Sequence, residues 1–136
     1  MPRPSNVELY LRGENVRLRP EQELEVVDRL IAALQQPADA YEPVYKAWRR
    51  ICRYVRKGKL SKESPEYLTE QKRMKEARQP LLSVLVRLVR FIAEDISEAN
   101  REIAKAKLQA AMKRPCIVQA VVSVPGWNRL KKRIAI

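Results

Sequence analysis

Between Pro80 and Pro115 the chain runs for thirty-four residues without a proline or a glycine. Leu81, Leu85, Leu88, Ile92, Ile96, Ala99, Ile103, Ala106 and Ala110 recur through it at steps of four and three. That spacing puts side chains on one face of an α-helix. A continuous helix over about 80–114 would be roughly 50 Å long at 1.5 Å per residue. Its first half is thick with Leu, Val and Phe and belongs at the centre of a core. Its second half changes to Ala at the seam, which allows another helix, of this chain or of a neighbour, to approach closely. Glu94, Glu98 and Glu102 fall on one flank of it, the pattern of a solvated face or of ion pairs between subunits. The expected fold is all-α: a compact helical bundle organised around this one long helix, in a single domain over 1–136, with room for a small β element near the N-terminus.

Turn residues divide the remainder. The chain has only three glycines, and its nine prolines act as punctuation. "RPEQELEVVDRLIAALQQP" opens with Pro20 and acidic residues at the positive end of the helix dipole. Leu24, Val27, Leu30, Ile31 and Leu34 continue it at helical spacing, and Pro37 closes it. A second helix is predicted from about Pro43 to Lys57, with Gly58 as its stop. Ser64 and Pro65 read as cap and first turn of a third helix, thin in apolar residues and therefore superficial. "NVELYLRGENVRLR" fits either a short helix ending at Gly13 or a hairpin with alternating Val7, Leu9, Leu11, Val16 and Leu18. Helix is preferred because partner strands are lacking elsewhere. "PCIVQAVVSVP" is β-branched but equally partnerless, and is read as a short buried helix. "GWNRLKKRIAI" ends the chain as a basic amphipathic helix with Trp127, Leu130 and Ile134 on one side.

Composition excludes several kinds of chemistry. There is no histidine, and the two cysteines, Cys52 and Cys116, stand far apart, so no Cys/His metal cluster and no imidazole acid or base can be assembled. The cysteines read as buried thiols of a cytosolic protein, although sequence alone allows a disulfide. Glycine-rich phosphate loops are absent. The expectation is a non-enzyme with no catalytic residue, cofactor or metal. "MPRPSNVELY" lacks an apolar signal core, and no run approaches the roughly 18 apolar residues of a membrane span. A soluble, cytoplasmic protein without membrane partners is expected. Lys and Arg number 28 against 16 Asp and Glu, for a net charge of +12. Such a field suits a polyanion.

Much of that charge lies in "KAWRRICRYVRKGK", residues 46–59, where seven of fourteen residues are cationic and none is acidic. On a wheel advancing about 100° per residue, Lys46, Arg49, Arg50, Arg53, Arg56 and Lys57 fall within roughly 120°. Val44, Ala47, Trp48, Ile51 and Val55 lie opposite. The row continues through Lys59 and Lys62, and Arg87 and Arg90 on the outward half of the long helix are positioned to extend it. Like charges one turn apart cost a few tenths of a kcal/mol each, and no acid within the helix offsets them. Arginine forks suit phosphate oxygens. Tyr45 and Tyr54 flank the row and read either as stacking platforms for bases or as rim residues of the core; Trp48 reads as core. Arg129, Lys131, Lys132 and Arg133 form a second basic patch, suited to a docking tail. No helix-turn-helix pair, RNP-type sheet or zinc finger is evident. What remains is backbone-directed, sequence-tolerant nucleic-acid binding.

A small, strongly basic helical chain built on one long helix, with "YKAWRRICRYVRKGK" beside it, resembles the small helical subunits of CRISPR–Cas (Cascade-like) effector complexes. The resemblance covers most of the chain and is one of size, charge and layout. It implies a non-catalytic ribonucleoprotein subunit in antiviral defence. Copies would touch one another and neighbouring subunits while holding a guide RNA–target DNA hybrid or single-stranded DNA, the target or displaced strand, on the Lys46–Lys57 row. Two other readings stay open at this stage: an adaptor whose basic helix docks on an acidic protein, or a small basic helical factor of a ribosome or phage.

Overall fold

The computed structural model describes residues 3–136. They form seven α-helices and a π-helical turn, with no strand among the described residues. In chain order the helices are α1 (Asn6–Leu11), α2 (Pro20–Ala33), α3 (Gln35–Arg56), α4 (Pro65–Arg90), α5 (Glu98–Ala111), α6 (Pro115–Val121) and α7 (Trp127–Ile134); the π-turn, Phe91–Asp95, prolongs α4. The all-α expectation holds. Residues 7–19 resolve into helix and loop rather than hairpin. Ser5 caps α1 by accepting from the Glu8 N–H at 3.2 Å, and Gly13 takes up a φ of +92° just beyond it. The segment after Pro115 is a short helix that buries Cys116, Ile117, Ala120 and Val121. Both cysteines are free thiols, and burial pushes both thiols up from their ordinary pKa.

Three prolines depart from the pattern-based reading, the two interior ones because tertiary burial overrides the ring. Pro37 does not close a helix but sits in the first turn of α3. Pro43 lies within α3, and Pro80 lies within α4 instead of starting a helix. An interior proline costs about 3 kcal/mol. Both rings lie on the solvent side, where water serves the unbonded carbonyl. The faces that α3 and α4 bury against each other outweigh the loss.

The single helix over 80–114 is corrected outright. α4 begins at Pro65, and its 26 residues are about 39 Å long. It widens at Phe91–Asp95, where the Ile96 N–H donates to the Phe91 carbonyl at 2.9 Å, so that Phe91, Ile92 and Ala93 all become buried. The backbone then turns extended at Ile96 and Ser97 (ψ 148° and 152°) and restarts as α5. The cause is Glu23. Its carboxylate, buried at 7% exposure, accepts from the Ser97 N–H at 2.6 Å and from the Asn100 amide at 3.3 Å. The same amide donates to the Pro20 carbonyl at 2.8 Å. An acid of the first turn of α2 thus caps the start of α5. The break shifts the helical phase: Leu81, Leu85, Leu88, Ile92 and Ile96 are buried as the stripe requires, but α5 buries Asn100, Ala104 and Leu108 instead of continuing it. Ala99, Ile103, Ala106 and Ala110 face outward.

Glu94, Glu98 and Glu102 are all exposed, and the first two pair within the chain. Glu94 pairs with Arg129 at 3.1 Å, Asp95 accepts from the Tyr10 hydroxyl at 3.1 Å, and Glu98 meets Arg101 at 3.5 Å. Around the α4 seam, α2, α3 and α6 close the core, in which Leu34, Tyr41, Leu81, Leu85, Leu88 and Leu108 are wholly inaccessible.

Replacing Glu23 with Ala strands the Ser97 and Asn100 donors, and we expect a loss of about 1–3 kcal/mol in urea unfolding. Leu85→Ala should cost about 2–5 kcal/mol. Tyr10 is held at about 12, first by burial and then by the Asp95 carboxylate it donates to; burial holds Tyr41 at about 12 as well, against the pull of Arg78. Both phenols ionise near 10 in the unfolded chain. Their contribution is therefore complete below pH 10 and disappears as the pH rises through 12. Urea midpoints across that window should fall more steeply for the wild type than for Tyr10→Phe or Tyr41→Phe.

Candidate nucleic-acid interface

Helices α3 and α4 are joined by residues 57–64 and pack antiparallel. The turn closes through Gly58 at φ +72°, with the Lys59 N–H donating to the Tyr54 carbonyl at 2.9 Å. Ser64 caps α4 by accepting from the Tyr67 N–H at 3.2 Å, and its hydroxyl donates to the Ser61 carbonyl at 2.8 Å. The Ser61 hydroxyl donates to Glu63, whose carboxyl is held below its ordinary value mainly by that bond. Trp48 packs on Tyr67 with ring centroids 5.2 Å apart, and Gln119 bridges Tyr41 to Met74. Residues 41–48 of α3 therefore lie level with 67–74 of α4.

The main core reaches α3 only as far as Trp48 and α4 only from Met74. Beyond them the two helices pack on each other alone, with Ile51 buried outside the core cluster. Residues 49–66 are thus a two-helix arm standing off the body. Between 46 and 78 lie twelve Lys and Arg against four Glu, a surplus of eight, or two thirds of the whole protein's net charge of +12.

The apolar side of α3 meets α4 through Ile51, with Val44, Ala47, Trp48 and Val55 half-buried around it. The opposite side presents Lys46, Arg49, Arg50, Arg53, Arg56 and Lys57, all exposed, and Lys59 and Lys62 follow, exposed, in the turn. Among the described residues none of these eight makes a salt bridge. Several carboxylates of the fold are engaged with other cations: Asp28 with Lys107, Asp39 and Glu42 with Arg114, Glu70 with Arg73. The facing length of α4 adds further cations at the base of the arm. Lys72 and Lys75 are exposed there, while Arg78 is half-buried near Tyr41.

Arg87 and Arg90, expected to extend the row, lie elsewhere. Arg87 is thirteen residues past Met74 on α4, roughly 20 Å further along, and donates to the Leu11 carbonyl at 2.7 Å. With Arg90, Tyr10, Gly13 and Asp95 it lines a cleft between the N-terminal segment and the end of α4. These two arginines do not extend the row. Arg129, Lys131, Lys132 and Arg133 are exposed on α7, which packs on the π-turn at the far end of α4 from the arm. Arg129 is paired with Glu94. The two tyrosines separate. Tyr45 is half-buried against Tyr41, with the Arg49 guanidinium 5.8 Å over its ring, whereas Tyr54 is exposed. Trp48 is partly buried against the core.

Among the described residues no cluster of His, Cys, Asp or Glu could hold a metal, and no helix is long and apolar enough to cross a membrane. The chain matches no protein-family model, no curated protein and no solved structure.

The arm's independence of the core has a measurable consequence. Amides of residues 50–65 should exchange faster than those of 81–92, because fewer buried apolar contacts guard them. Hydrogen exchange followed by mass spectrometry checks this.

Proposed function

We propose that this chain is a non-catalytic, sequence-tolerant nucleic-acid-binding subunit that holds a phosphate backbone on the outer face of α3. One observation carries the reading: six exposed cations, unpaired within the fold, line one side of a helix whose other side is fixed by packing, and two more follow in the turn. A row of like charge with no internal counter-ion is destabilising on its own. Phosphates bound along it remove that repulsion and release condensed counter-ions. The row from Lys46 to Lys57 is about 17 Å long, which matches about five phosphates at 3.4 Å rise per strand. Nothing in it reads base edges, so the affinity is insensitive to sequence.

The same reading places the protein in a larger ribonucleoprotein, of the kind the small CRISPR–Cas subunits exemplify. The basic helix that suggested the resemblance is present, while the continuous helix over 80–114 is replaced by α4, the π-turn and α5. The outward face of α5, with Ile103 47% exposed, leaves an apolar strip open to a neighbouring subunit.

The test is a mobility shift at graded salt. The logarithm of the binding constant should fall against log salt with a slope of about −3 to −5 if four to six phosphates are neutralised. Arg49→Glu, Arg50→Glu and Arg53→Glu together should abolish the shift with the helical signal unchanged. Lys131→Glu with Lys132→Glu on α7 should leave most of it. Absence of any shift at about 50 mM salt would assign the row to an acidic protein surface instead.

A further inference from the structure

Four of the five tyrosines are occupied inside the fold. Tyr10 stands edge-on to Phe91 at 5.4 Å and donates to Asp95. Tyr41 is wholly buried and donates to Gln119 at 2.6 Å. Tyr45 lies between Tyr41 and the Arg49 guanidinium, and Tyr67 packs on Trp48. Tyr54 has no such engagement: among the described residues its ring meets no aromatic or cationic group, its hydroxyl makes no hydrogen bond, and it is 41% exposed.

A lone exposed tyrosine is ordinary. Its place on α3 is what singles this one out. Arg50 is one turn before it and Lys57 one turn after it, both on the adjoining edge of the cationic row. The two are about 10.5 Å apart along the axis, and both side chains are long enough to converge on the neighbouring phosphates of one nucleotide. A strand whose phosphates lie on Arg50 and Lys57 passes the exposed Tyr54 ring, which stands between them along the axis. A base can offer its face to a side chain only when it is out of a duplex stack.

We infer that the arm accepts single-stranded nucleic acid, with Tyr54 as the platform for one base and Arg50 and Lys57 holding the phosphates on either side. This rests on the backbone-binding reading above and adds the strandedness of the ligand. Tyr45 takes no part, because Arg49 already covers its ring.

Fluorescence anisotropy on the full chain separates the two ideas. The probes are labelled oligothymidylate of about twenty nucleotides, longer than a single-domain footprint, an abasic strand with the same phosphates, and a duplex of the same length. The wild type should bind oligothymidylate more tightly than either of the others. Tyr54→Leu should weaken oligothymidylate binding by about 5- to 150-fold while leaving the abasic strand and the duplex unchanged, and Tyr54→Phe should retain wild-type affinity. Equal binding of the abasic strand, binding of the duplex as tight as that of oligothymidylate, or a Tyr54→Leu variant as tight as wild type would overturn the inference. If the triple Arg→Glu variant still loses all three probes, the backbone reading survives that result. A wild type that binds none of the probes at about 50 mM salt defeats both.

Discussion

The packing of α3 on α4 determines what the rest of this molecule can present. Ile51, with Val44, Trp48 and Val55 about it, must face the inner side of α4, where Tyr67 and Met74 wait. Once that contact is made, the cations on the opposite side of α3 have only solvent before them. The direction of the charged row is therefore set by hydrophobic burial rather than by electrostatics, which would scatter like charges. The cost is modest because the arm is exposed and water screens its charges.

A second dependence runs through one buried carboxylate. Glu23 sits in the first turn of α2, where helix-dipole reasoning accounts for it. The fold uses it to catch the Ser97 and Asn100 donors, ending the α4 rod and setting the direction of α5. The π-turn belongs to the same junction: it lets three consecutive apolar residues turn inward just before the chain breaks. Tyr10 and Arg87 then tie α1 down over this corner.

What sequence could and could not disclose follows from these two contacts. Helical periodicity, the Ser64–Pro65 start and the Gly58 stop depend on neighbours within one turn, and each was legible. So was the segregation of cations from Ile51 and Trp48 on α3, which needs only a helical wheel. The break at Ile96–Ser97 was not, because its cause lies seventy-four residues away in Glu23 and no proline or glycine announces it. Ser97 is a good cap residue, but an uninterrupted apolar stripe hid it. Pro43 and Pro80 misled for the converse reason: a local cost was overruled by long-range burial. Arg87 looked like an extension of the row because a wheel records direction around an axis but not distance along it.

The separation of the arm from the body leaves each under its own rule. Residues 49–66 contribute nothing to the main core cluster, so exchanging one exposed cation there for another residue leaves the interior seam untouched. The charge of the arm and the thermal robustness of the body are thus two independent dials. A lineage carrying this architecture could change the charge of the tip by drift, without compensating changes around Leu85 or Leu88.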